Sequence, residues 1–143
     1  MADWHLIDDL LLAANKHAAS DLIVRTGDRV RMRIHGSIVT VSPDKVPEPP
    51  RKLVKEMVQH LSRHLPDKVD LETIHNFDFH YSLENVAHFR VHVMRTNNNF
   101  GIVARIIPQQ IPGFDELHLP PVIREISDYR SGLVLMAGAT GSG

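Results

Sequence analysis

The chain has 143 residues, with 16 Lys plus Arg against 17 Asp plus Glu, a formal charge of -1 and no cysteine. That balance argues against a nucleic-acid binder held by bulk charge, and the missing cysteines exclude a disulfide framework, thiolate zinc sites and a cysteine nucleophile. With 43% hydrophobic and 23% charged residues the composition is that of a folded domain with a real core. The N-terminus carries acids where a signal peptide carries basic residues, and no apolar run nears the roughly 18 residues needed to span a bilayer. The expectation is therefore a cytoplasmic protein with no direct membrane insertion.

Asp3 can cap a helix in which Ile7, Leu10, Leu11 and Ala14 form one apolar stripe. From Asp21 the period changes to two. Leu22 and Val24 alternate with Ile23 and Arg25, Gly27-Asp28 turns the chain, and Val30, Met32 and Ile34 alternate with Arg29, Arg31 and Arg33. His35-Gly36 leads into a third short strand, Ser37 to Val41, and SPDKVPEPP is a Pro-rich loop. Pro50 suits the first turn of a helix carrying Val54, Met57, Val58 and Leu61, which Pro66 stops; a shorter helical piece is predicted over Asp67 to Thr73. Three more strands follow, built on Phe77/Phe79/Tyr81, Phe89/Val91/Val93 and Phe100/Ile102/Ala104/Ile106, with Asn97, Asn98 and Asn99 turning between the last two. Local strand neighbours imply mainly antiparallel pairing.

PQQIPGFDELHLPP then reads as an irregular linker with a domain boundary in it. Beyond it, Pro120 and Pro121 can begin a helix carrying Val122, Ile123 and Ile126, and LVLMA is a continuous apolar run of the kind buried on both faces of a sheet. This predicted strand runs straight into Gly138-Ala139-Thr140-Gly141-Ser142-Gly143, the beginning of the phosphate-loop pattern GxxxxGK[ST]. Glycines there let successive N-H groups point at phosphate oxygens. The Lys and the Ser or Thr that complete the pattern are not in the sequence, so the chain as given is expected neither to hydrolyse ATP nor to bind it tightly. The last 25 or so residues, an approximate figure, are expected to pack poorly or to dock on a partner, because a parallel strand needs neighbours and crossover helices. A plain Gly-Ser linker is the alternative source of the GSG end.

The ordered set of motifs resembles a known family. The succession A-SDL-V--G--V--RIHG (Ala19 to Gly36), FDFHYSL, HFRVHVMR, ARIIP, LHLPPVIREI and GLVLMAGATGSG is similar to the PilT-like type IV pilus retraction ATPases, within the wider type II and type IV secretion ATPase superfamily. The HASDL form common in that family stands here as His17-Ala18-Ala19-Ser20-Asp21, with one additional alanine. The resemblance implies an α+β fold: a PAS-like antiparallel sheet flanked by helices over residues 1–107, a linker over 108–119, and the first helix and strand of a RecA-like ATPase domain over 120–143. It implies a longer parent that uses ATP and Mg2+, assembles as a homo-hexamer at the cytoplasmic face of the inner membrane, and works on a pilus platform protein to withdraw pilin. It also implies that Arg90 and Arg105, in FRV and ARIIP, reach toward the nucleotide phosphates, with Arg95 a third candidate. The alternatives are a type II or type IV secretion ATPase domain and a non-catalytic PAS-like interaction module.

A guanidinium can make two hydrogen bonds to a phosphate and stabilise charge that builds during phosphoryl transfer, whereas arginines on strands commonly pair with acids on a wet face. Arg29, Arg31 and Arg33 share one strand face and read as such a balanced stripe, since no aromatic platform accompanies them for nucleic acid. His60 and His64 share a helical face at i, i+4, but HLSRH lacks the glutamate of HExxH and a third ligand, so no physiological metal is expected. His80, His88 and His92, on or beside strands, are expected to satisfy neighbouring polar groups.

Overall fold

In the computed structural model, which describes residues 5–66, 69–73, 75–108 and 111–139, the alternating segments form one sheet of six strands. In chain order the elements are α1 (Leu6–Lys16), β1 (Ala19–Arg25), β2 (Arg31–Ile34), β3 (Ser37–Thr40), α2 (Arg51–Ser62), β4 (Asn76–Leu83), β5 (Ala87–Thr96), β6 (Asn99–Ile107) and α3 (Pro121–Ser127). The strand order is β3-β2-β1-β6-β5-β4, and every pairing is antiparallel. Two local meanders are thus joined along the β1–β6 seam, where Leu22 faces Ala104 and Val24 faces Ile102. The turns follow the sequence: His35 and Gly36 both take positive φ (47° and 80°), as do Asn97 and Asn98 (48° and 69°), which matches the right-handed twist of the strands they connect. β3 is an edge strand, and it exposes Ile38 and Val39.

The chain divides into two units, Met1–Gln109 and Gln110–Gly143. In the first, α1 buries Ile7, Leu10, Leu11 and Ala14, and α2 buries Val54, Met57, Val58 and Leu61. These stripes pack over one face of the sheet, on Leu22, Val24, Phe89, Val91, Ile102 and Ala104, all fully buried. The opposite sheet face carries the polar residues of the same strands. In the second unit, α3 follows Pro120 as the proline pair predicts, and Asp115 pairs with Arg124 at 3.2 Å within the expected linker and helix.

Two expectations are corrected. Leu71–Thr73 form a turn rather than a helix, while Asp67 and Lys68 lie outside the described residues. The Asp70 carboxylate accepts hydrogen bonds from the Glu72 N-H at 2.9 Å and the Thr73 hydroxyl at 3.1 Å, and this local ring competes with helical bonding. Residues 133–137 form no strand, and Leu133, Leu135 and Met136 are exposed. A strand of that apolar kind is held by ladder partners on both sides, and among the described residues none is paired with it. Asp3, proposed as a cap, lies outside the described residues; His5 occupies the N-cap of α1 with no side-chain capping bond.

A polar knot ties three elements of the first unit together. Asp8 on α1 sits 2.8 Å from the His60 Nε2 on α2 and accepts a 2.8 Å hydrogen bond from the Tyr81 hydroxyl on β4. The His60 side chain is only 7% exposed. Burial lowers its pKa below the usual histidine value, outweighing the raising effect of Asp8, and burial together with Asp8 pushes the Tyr81 phenol up to about 12.

Truncating Phe89 to Ala, at the centre of this core, is expected to cost about 3–5 kcal/mol, read as a lower urea midpoint at unchanged m-value. Since the folded pKa of His60 lies below its unfolded value of about 6.5, the unfolded chain binds the extra proton first as pH falls. Its contribution is complete above about pH 6.5 and declines below it. Urea titrations from pH 7 to 5 should show that decline in the native chain and a flatter profile in His60→Gln.

Candidate functional site

The sheet face opposite the helices carries the candidate site, because the two-residue period sends every second side chain of the strands there. One register row crosses five strands: Arg33 on β2 faces Asp21 on β1, Asp21 faces Arg105 on β6, Arg105 faces Arg90 on β5, and Arg90 faces His80 on β4. A second row places Arg31, Ile23, Val103, His92 and Asp78 side by side. Arg90 and Arg105, separated by a turn in sequence, are therefore direct cross-strand neighbours. Asp21, Asp78, Arg90, His92, Val103 and Arg105 line a shallow hollow of about 280 Å³.

Two carboxylates organise this face. Asp21 Oδ1 accepts a 3.0 Å hydrogen bond from Arg105 Nε; its Oδ2 accepts one from the Ser20 hydroxyl at 2.8 Å and lies 3.2 Å from Arg33 Nε. Burial pushes the Asp21 carboxyl up, but Ser20, Arg105 and Arg33 together outweigh it and hold the group below the ordinary aspartate range. Asp78 takes a 3.0 Å contact from His92 Nδ1 and a longer one, 3.4 Å, from Arg90 Nε. Its pKa is lowered by the His92 hydrogen bond and by Arg90. Both arginines are mostly exposed, Arg105 by 69% and Arg90 by 63%, so each is anchored near its inner nitrogen and open at its tip. Chemically, guanidinium groups with open terminal nitrogens are donors of the kind that oxyanions accept from.

Arg95 is placed differently. It reaches the Leu71 carbonyl at 3.4 Å, the Glu72 carbonyl and the Asn98 side chain, and it is only 22% exposed, so it staples the 70–73 turn to the β5–β6 turn. Each member of the arginine stripe has an acid: Arg29 has Glu48, Arg31 has Asp28 and Arg33 has Asp21. Of the histidine pair, His60 belongs to the buried knot, and the His64 ring lies 6.1 Å from those of Phe79 and Tyr81. Among the described residues no group of three or more His, Cys, Asp or Glu is arranged to hold a metal ion. His88 contacts Ser82 and His92 contacts Asp78. Gly138 and Ala139 are exposed and irregular, while Thr140, Gly141, Ser142 and Gly143 lie outside the described residues. Sequence reasoning missed Asp21 and Asp78 as organisers; the available signal was an acid within a strand pattern, which for Asp78 stands between Phe77 and Phe79.

No family model matches the chain. Over 137 residues, 96% of its length, it is 32% identical to the type IV pilus retraction ATPase PilT of Pseudomonas aeruginosa, of which the match covers 39%. The crystal structure of the pilus retraction motor PilT with bound ADP superposes with a TM-score of 0.72 at 25% identity, covering 100% of this chain and 40% of that one. The ATPase DotB of Legionella pneumophila gives 0.74 at 23% identity, covering 96% of this chain and 38% of that one, which speaks for the fold alone. The chain thus spans well under half the length of the proteins it matches. In sequence and in its antiparallel α+β fold, it is a homologue of the PilT-like type IV pilus ATPases over that shared N-terminal part.

Proposed function

We propose that this chain supplies the PAS-like domain (residues 1–107), the linker (108–119) and the opening of the RecA-like domain (120–143) of a hexameric, ATP-driven motor subunit that powers type IV pilus retraction. The observation that carries the reading is the cross-strand pairing of Arg90 with Arg105, each held near Nε by a carboxylate and open at its tip. In the assembled motor these two groups approach the phosphates of bound ATP as the domain closes, and they stabilise the charge that develops on the transferred phosphoryl group. Retraction rather than secretion is favoured because the relative at 32% identity is a retraction ATPase, whereas the DotB likeness speaks only to fold.

The donor set fits this role. Two guanidinium groups on directly paired residues of neighbouring strands suit a polyanion, and the glycine-rich sequence from Gly138 to Gly143 suits a backbone cradle for phosphate. Mg2+, when bound, would supply positive charge against the phosphates; among the described residues no group is arranged to hold it, and the lysine and hydroxyl of GK[ST] are not in the sequence. The chain is a nucleotide-facing module of that motor. The motor works in the cytoplasm against an inner-membrane platform protein; among the described residues no helix is long and apolar enough to cross a membrane.

A non-catalytic interaction module is the second reading, and one observation favours it. A hollow of about 440 Å³ runs along α1 and the β2–β3 hairpin, lined by Leu6, Leu10, Met32, Ile34 and Val39 among others.

The reading frame downstream of Gly143 should continue with Lys and Ser or Thr. In the full-length product, Arg90→Ala and Arg105→Ala should each lower kcat for ATP hydrolysis, by about 10³-fold or more for a group acting as an arginine finger. Native turnover in both variants would reject the phosphate role and leave the interaction module standing.

A further inference from the structure

Among the described residues Asp21 is the one buried charged residue, 4% exposed, although it stands on the open face of the sheet. A β-bulge puts it there. The β1–β2 register shifts between Ala19, which faces Ile34, and Asp21, which faces Arg33, so Ser20 is an extra residue that resets the alternation. Its hydroxyl then closes on Asp21 Oδ2 at 2.8 Å.

The way Asp21 holds its arginine matters. A carboxylate can meet a guanidinium at its terminal fork, as Asp28 does on this same sheet, where Nη1 and Nη2 of Arg31 each lie 2.8 Å from a carboxylate oxygen. That geometry occupies the donors a phosphate would use. Asp21 meets Arg105 at Nε, and neither terminal nitrogen of Arg105 has a hydrogen bond among the described residues. Fixing Nε restricts the plane of the guanidinium and leaves its outer fork free for two parallel bonds to an oxyanion. Asp21 is itself fixed from the other side by Arg33 and Ser20, so it does not follow Arg105 outward. Arg90 is held at Nε more loosely: its Asp78 is 45% exposed, shared with His92, and 3.4 Å away.

We propose that Asp21, buttressed by Ser20 and Arg33, is a positioning residue that aims the terminal fork of Arg105 at the phosphate oxyanion. This rests on the reading of Arg105 as a phosphate ligand. Asp21 touches no substrate atom; it limits the orientations Arg105 must give up when phosphate arrives, and so acts on the step in which charge builds.

The test is a double-mutant cycle in the full-length protein, with ATP turnover read as kcat and KM separately. Asp21→Asn should lower kcat at least about tenfold with KM changed by less than about twofold, and adding it to Arg105→Ala should cost almost nothing further. Asp28→Asn, which removes an aspartate charge paired with an arginine outside the site, should stay within about twofold of the native kcat. Native turnover in Asp21→Asn overturns the proposal, as does an equal loss in Asp28→Asn, or a full additional loss when Asp21→Asn is combined with Arg105→Ala. Native turnover in Arg105→Ala alone instead overturns the underlying reading, and the positioning role with it. Should Asp21→Asn fail to fold, the native 143-residue chain provides the measurement by NMR. The Arg105 15Nε shift should follow the titration of Asp21 below the ordinary aspartate range, and a flat response across that titration overturns the proposal.

Discussion

The seam between β1 and β6 is the constraint on which the molecule depends. It joins two three-stranded meanders whose own turns are local, and its partners are distant in sequence: Asp21 and Arg105 are 84 residues apart. The apolar pattern fixes its register, since Leu22 and Val24 must face the same side as Ala104 and Ile102 to lie under α1 and α2. A slip by one residue would turn that core stripe to water and bring charged groups beneath the helices. Packing on one face therefore dictates which polar groups meet on the other. Arg105 lies against Asp21 and beside Arg90 because Leu22 and Ala104 are buried together.

This division explains how much could be read from residues alone. The six short strands, the first two helices and the asparagine and His-Gly turns carry local signals, periods of two or 3.6 punctuated by residues that tolerate positive φ, and they lie where those signals put them. The 70–73 segment was misread because helical propensity says nothing of the Asp70 carboxylate closing on Glu72 and Thr73. The 133–137 run was misread for a different reason: its composition describes an environment with strands on both sides, and composition does not supply the strands. Arg90 and Arg105 were legible as strand arginines. Their adjacency was half legible, through the Asn turn that pairs β5 with β6; the Asp21 contact was not, because it crosses the long seam.

Electrostatics on the open face follow the same logic. Arg33, Arg90 and Arg105 share one row with a single carboxylate, Asp21, and Asp78 stands in the next row. Like charges on neighbouring strands cost free energy unless something lies between or above them. Asp21 compensates one side and solvent the other, so the row carries net positive charge at its centre. The two acids also differ in kind. Asp78 is a solvated pair whose worth is small, whereas Asp21 has exchanged water for three fixed donors, so its bonds are directional.

The bulge at Ser20 also bears on how this strand tolerates changes of length. Residues before it and after it keep separate phases, because one position is left unpaired and absorbs the offset. An insertion or deletion of one residue just ahead of Asp21 is thereby confined to the helix-to-strand junction, where Ala18 already bends the chain with a φ of 51°. The same change placed after Leu22 would invert every side chain up to the next turn. The extra alanine in His17-Ala18-Ala19-Ser20-Asp21 stands on the permissive side of that divide.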